Sequence, residues 1–127
     1  MLQDKFYTIT SITIESNSID AMLQLNEKHI IFEGHFPGQP VVPGVFMMQI
    51  VHEVCELATG EKLQLAKADL KFLMVIDPGE SNMLQLLSSY AIQADGSISV
   101  SASLLKDKVV CFKFKGLFKA MGAPGER

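Results

Sequence analysis

The sequence predicts an α+β fold, one long antiparallel sheet around one central helix, on three observations. The second half of the chain alternates apolar and polar residues with a period of two. Only Gly44 to Ala58 has the marks of a helix, and it is apolar on nearly every side. The chain has 127 residues, enough for one domain and one core but hardly for two, so residues 1–127 read as a single domain. A helix that apolar, among about six or seven strands, has to be wrapped by the sheet.

The N-terminal third supplies short candidate strands around Tyr7 to Ile14, Ala21 to Leu25 and His29 to Phe32. The helix follows Pro43, a residue suited to a first turn, and Gly60 can close it. Its polar residues Gln49, His52, Glu53 and Glu56 stand at i, i+3, i+4 and i+7, which makes one narrow stripe. Ala68 to Ile76 reads as a strand ended by Asp77-Pro78-Gly79, and Met83 to Ile92 as the next. Asp95-Gly96 is a two-residue hairpin signal in which both positions need positive φ. After it Ile98, Val100, Ala102 and Leu104 face one way, and Ser97, Ser99, Ser101 and Ser103 the other. Lys106-Asp107 turns the chain into Val109 to Phe118, where Phe112 and Phe114 alternate with Lys113 and Lys115. The tail from Gly122 to Arg127 is expected to fray.

Composition excludes several classes. Eleven Lys plus Arg stand against 14 Asp plus Glu, a net charge of −3, the wrong sign for a nucleic-acid binder. Cys55 and Cys111 are far apart and form no CxxC pair, which suits free thiols in a reducing compartment. No apolar run reaches the roughly 18 residues of a membrane span, and the start MLQDKFYTIT lacks a signal peptide's apolar core. A cytoplasmic location is expected.

The chemistry is concentrated before the helix. EGHFPGQPVVPGV, Glu33 to Val45, packs three prolines and three glycines into thirteen positions. Such a stretch loses little entropy on ordering and fixes side-chain directions. It presents His35 close to a helix N-terminus, whose free N–H groups favour negative charge. A base beside an oxyanion site suits an enzyme; a histidine bonded to the loop backbone is the plainer alternative.

This segment resembles the 3-hydroxyacyl-acyl-carrier-protein dehydratase family of fatty acid synthesis, through Gly34, His35, Phe36, Pro37, Gly38, Pro40, Pro43, Gly44 and Val45. A weaker match runs from Phe72 and Val75 to Pro78-Gly79-Glu80. The resemblance implies the hot-dog fold and a homodimer or trimer of dimers, with the site between subunits. It also implies an acyl-phosphopantetheine substrate on acyl carrier protein and a dehydration without metal or organic cofactor. His35 would then be the base, and the N–H groups of Gly44 and Val45 would polarise the thioester carbonyl. Phe36 and Phe72 would contact the substrate. Lys67, Lys71, Lys113, Lys115 and Lys119 are candidates for docking the acidic carrier.

Two features depart from that pattern. The family's helix carboxylate falls at Gln49, which has no titratable proton, while Glu53 stands one turn on. The exchange makes Glu53, or a water held by Gln49 and Glu53, the expected acid, with a raised pKa for Glu53. It also keeps open an inactive acyl-binding subunit, and a thioesterase in which Glu53 activates water. The stretch from Asn26 to His35 is about two residues longer than the family's. Elsewhere, His52-Glu53 begins a HExxH zinc motif but meets Glu56 where histidine is needed. His52 and Glu56 suit a helical ion pair better than a metal. Cys55 suits a buried small residue. Phe72, Phe112, Phe114 and Phe118 fit an acyl tunnel or a core equally well.

Overall fold

Period-two alternation becomes strand pairing in the computed structural model, which describes residues 1–34, 41–79 and 82–121. Its elements in chain order are β1 (Tyr7–Glu15), β2 (Ser18–Leu25), α1 (Ile31–Gly34), α2 (Gly44–Thr59), β3 (Leu63–Phe72), β4 (Met83–Ile92), β5 (Ile98–Lys106) and β6 (Val109–Ala120). The strands form one sheet in the order β1-β2-β4-β5-β6-β3, and every neighbouring pair is antiparallel. Among the described residues both expected features, one sheet and one long helix, are present.

The turns follow backbone chemistry. Ser16 and Asn17, between β1 and β2, both have positive φ, 47° and 64°, as do Asp107 and Lys108 between β5 and β6, at 51° and 67°. These are the mirror-image turns whose twist matches the flanking strands. The second is one residue later than Lys106-Asp107. At Asp95-Gly96 the two-residue turn does not form, because only Gly96 has positive φ, 88°. The Gly96 N–H donates to Gln93 O and the Gln93 N–H to Ser97 O, while Asp95 Oδ1 accepts from the Ser97 N–H at 2.9 Å. This is a longer loop with a glycine bulge.

Two strand expectations are corrected. His29 to Phe32 forms a turn leading into α1, since His29 Nδ1 accepts the Ile31 N–H at 3.1 Å and His29 O accepts the Phe32 N–H. The strand placed at Ala68 to Ile76 begins earlier and stops at Phe72. There the N–H groups of Leu73 and Met74 both turn to Cys111 O, breaking the alternation that a ladder needs.

Helix α2 ends on Gly60 at φ 72°, whose N–H donates to Glu56 O at 2.9 Å. Ile50, Val51 and Val54 are fully buried and join inward-facing Leu84, Leu86, Leu104 and Phe112 in one core. Each such side chain contributes roughly 1.5–3 kcal/mol. Phe114 and Phe118 are buried with them, so three of the four phenylalanines weighed for an acyl tunnel are core. Both cysteines are buried thiols, and burial pushes that of Cys55 up to about 11, which leaves it inert at neutral pH. Among the described residues no helix is long and apolar enough to cross a membrane.

Candidate active site

Helix α2 starts at Gly44 after extended Pro43, without a side-chain cap. Pro43 O accepts the N–H groups of Phe46 and Met47. Among the described residues nothing accepts those of Gly44 and Val45, so two donors point out of the helix start. The preceding chain is held by the Val42 N–H donating to Ile76 O at 2.9 Å.

Beside this start lies an open groove of about 290 Å³, floored by Met47 and walled by Val41, Phe72 and Met74. Phe72 sits at the end of edge strand β3, 55% exposed, with its ring on Gly44. A Cβ on Gly44 would stand 2.6 Å from ring Cε1. The missing side chain is therefore what lets the ring lie against the helix. The structure thus joins Gly44 and Phe72. Val45 is 65% exposed. His35 and Phe36 lie outside the described residues, as does Glu80.

Val45, Gln49 and Glu53 follow one another at i, i+4 and i+8 on one helix face. Exposure falls along the row, from open Val45 to half-buried Gln49 and to Glu53, which is 2% exposed. Gln49 Nε2 donates to Glu53 Oε2 at 2.9 Å, so the exchanged pair is in contact. The backbone N–H of Leu2 donates to Oε2 at 2.8 Å and that of Gln3 to Oε1 at 2.9 Å. The Tyr7 hydroxyl completes the set on Oε1 at 3.0 Å. Burial alone would raise the carboxyl's pKa, but these four donors outweigh it and hold it below the ordinary value. The direction is opposite to the raised pKa expected from the sequence, because three of the four donors come from a segment about fifty residues away. Burial, and then the Glu53 charge, push the Tyr7 hydroxyl upward, so it remains a neutral donor. Sequence reasoning missed Leu2, Gln3 and Tyr7, and backbone N–H groups carry no residue-type signal.

The rest of the polar stripe serves the fold. His52 Nε2 donates to Leu63 O at 2.8 Å, and Glu56 Oε2 accepts the Leu63 N–H at 2.9 Å. His52 and Glu56 stand 3.6 Å apart, so together they hold the start of β3. The candidate docking lysines share the outer face of the sheet. Lys71 lies opposite Lys113, and Lys115 opposite Asp69.

The family model described as ApeI dehydratase, of the ApeI-like family, matches residues 11–113. The 3-hydroxyacyl-[acyl-carrier-protein] dehydratase FabZ of Chlamydia pneumoniae is 27% identical over 126 residues, covering 88% of this chain and 80% of its own. That of Roseobacter denitrificans is 37% identical over 54 residues, covering 42% of this chain, and the chain spans only 34% of that relative's length. The dehydratase heterocomplex ApeI:P from Xenorhabdus doucetiae superposes with a TM-score of 0.72 at 18% identity, over 88% of this chain and 96% of that one. The likeness extends to the whole hot-dog arrangement of sheet and helix.

Proposed function

The chain belongs to the ApeI-like dehydratase family, and from that we propose that it removes water from 3-hydroxyacyl thioesters on acyl carrier protein, in fatty acid or related polyene or polyketide lipid synthesis. The observation that carries this reading is the helix start. Two N–H groups, at Gly44 and Val45, open beside the Phe72 groove, nine and ten residues after His35 in a dense motif.

In this mechanism His35 takes the proton α to the thioester carbonyl, and the electron pair of that C–H bond forms the enolate. The Gly44 and Val45 N–H groups stabilise the oxyanion. The pair then forms the carbon–carbon double bond as the C3–O bond breaks. The departing hydroxide takes back the proton that His35 removed, through a water held at the Gln49 amide. Atoms and charge balance with no outside acid. Direct donation by Glu53 is the competing route, and the four donors on its carboxylate count against it. Phe36 and Phe72 contact the substrate, and no metal or organic cofactor enters a step.

A second reading is favoured by Gln49 at the helix position where the resembled family has its carboxylate. On that reading the chain is an acyl-binding subunit whose acid comes from a different partner chain. The Xenorhabdus relative is itself a heterocomplex.

One experiment separates these readings. Pure protein is incubated with a 3-hydroxyacyl group on pantetheine or on carrier protein, at low and high salt, and the product is weighed by mass spectrometry. Loss of water is the expected result; free acid indicates a thioesterase, and unchanged substrate supports the binding subunit. Exposed lysines on the outer face steer an acidic carrier through screened interactions. Turnover of the carrier-bound substrate is therefore expected to fall with salt faster than that of the pantetheine. Equal salt dependence removes the lysine face from carrier docking.

A homodimer, or a trimer of dimers, in the cytoplasm completes the proposal. Strand β3 is a sheet edge, and Phe72, Leu73, Met74 and Val75 beside it are about half exposed or more. Pairing two copies along this edge satisfies the backbone and covers the apolar run. A mass of two chains or more is expected by light scattering at micromolar concentration; a monomer there overturns it.

A further inference from the structure

We propose that Glu53 is a positioning residue, a carboxylate that ties the N-terminal segment to helix α2 and turns the Gln49 amide so that its Oε1 accepts a hydrogen bond from the substrate's 3-hydroxyl. The part that concerns substrate rests on the dehydratase reading above.

Four contacts carry it. Oε1 accepts from the Gln3 N–H and the Tyr7 hydroxyl, and Oε2 from the Leu2 N–H and Gln49 Nε2. The two backbone groups and the amide nitrogen can only donate. A proton on Oε2 would face one of these donors, and one on Oε1 could pass only to the Tyr7 hydroxyl, whose own hydrogen would then lose its acceptor, so the arrangement fits the carboxylate and disfavours the acid. The same logic fixes the Gln49 amide, since only its NH2 group can face a carboxylate. Its Oε1 is on the other branch of a planar group, and among the described residues nothing donates to it.

Position along the helix agrees. Glu53 is 2% exposed beneath the N-terminal segment, whereas Gln49, one turn nearer the helix start, is half-buried. A substrate beside Gly44 and Val45 meets Gln49 before Glu53. An acceptor there orders the 3-hydroxyl with its lone pairs free for the returning proton. The amide gives up no proton itself.

Other charged groups stand near Glu53. Asp4 follows the N-terminal segment and acts on Tyr7. Glu56 lies further along α2, and with Glu61 and Lys62 it lines a second open groove, apart from the one beside Gly44, that also includes Glu53, Met1 and Gln3. Burial is what works against ionisation of Glu53, and its four donors are what hold it ionised.

The test uses the full chain in two measurements. The first is a double-mutant cycle of Gln49→Ala, Glu53→Gln and the pair, with kcat and KM on 3-hydroxyacyl-pantetheine across pH. Each single change is expected to cost on the order of ten- to a hundred-fold in kcat/KM, and the pair no more than the worse single change. The pH profile of Glu53→Gln is expected to keep its shape. Additive losses overturn the proposal, as does a Glu53→Gln enzyme that loses kcat and its alkaline limb while Gln49→Ala remains near wild type. The second measurement, which needs neither a folded variant nor activity, is a carbon-13 carboxyl titration of wild-type Glu53 by NMR. Titration below the ordinary glutamate range is expected; titration at or above it overturns the proposal. A wild-type chain that leaves the pantetheine substrate unchanged defeats the dehydratase reading, and the NMR titration then still decides the state of Glu53.

Discussion

Replacing His35 with alanine is expected to lower the dehydration rate by about 10²–10⁴-fold, the usual cost of removing a general base. The thermal transition should stay where it is. In the sequence His35 occupies a Pro- and Gly-rich stretch without the apolar spacing of a core element, and the core around Ile50 and Phe112 is packed from strands and helix. Without the base the thioester still lies beside the Gly44 and Val45 N–H groups, so binding should change less than turnover. The measurement is kcat and KM for 3-hydroxyacyl-pantetheine, with a melting curve on the same sample. Near-wild-type turnover would make His35 a structural loop residue and remove the proposed mechanism.

What the sequence revealed was local. The alternation from Ile98 to Leu104 and the apolar run after Pro43 each report a short-range period, and both became elements with nearly the expected bounds. Failures came where a distant partner decides. Nothing in Leu73 to Ile76 says that Cys111 O will collect two successive N–H groups and end β3 at Phe72. Nothing in His29 says that its ring nitrogen will accept the Ile31 N–H in place of strand pairing. The candidate site divides in the same way. The helical spacing of Gln49 and Glu53 was visible, and so was the exchange of their side chains relative to the resembled family. The direction of the Glu53 pKa was not, because it depends on Leu2, Gln3 and Tyr7, about fifty positions away.

Those distant donors also make Glu53 a stability element with a defined pH dependence. Its folded-state pKa lies below the ordinary 4.5. The carboxylate's contribution is therefore complete above that value and is lost as pH falls through the folded pKa. Below that point the carboxyl carries a hydrogen that the Leu2, Gln3 and Gln49 donors cannot accept, and giving it to the Tyr7 hydroxyl turns that group's own hydrogen away from Glu53. Truncation tests the same contacts at neutral pH. Glu53→Ala leaves the Tyr7 hydroxyl without its acceptor inside the fold and frees the N-terminal segment. An unsatisfied buried donor costs about 1–3 kcal/mol, so a loss on the order of 3 kcal/mol is expected. For a chain of this size that lowers Tm by roughly 10 °C. Glu53→Gln should also melt below wild type, because its NH2 group meets donors. Its melting temperature should lack the part of the acid-induced fall that Glu53 supplies below about pH 4.5. Melting curves from pH 7 to pH 3 on the wild type and the two variants measure both effects. A wild type and a Glu53→Gln protein that lose stability in parallel across the acid range would mean that other carboxylates set the acid limit. The ionisation of Glu53 would then contribute nothing net to folding.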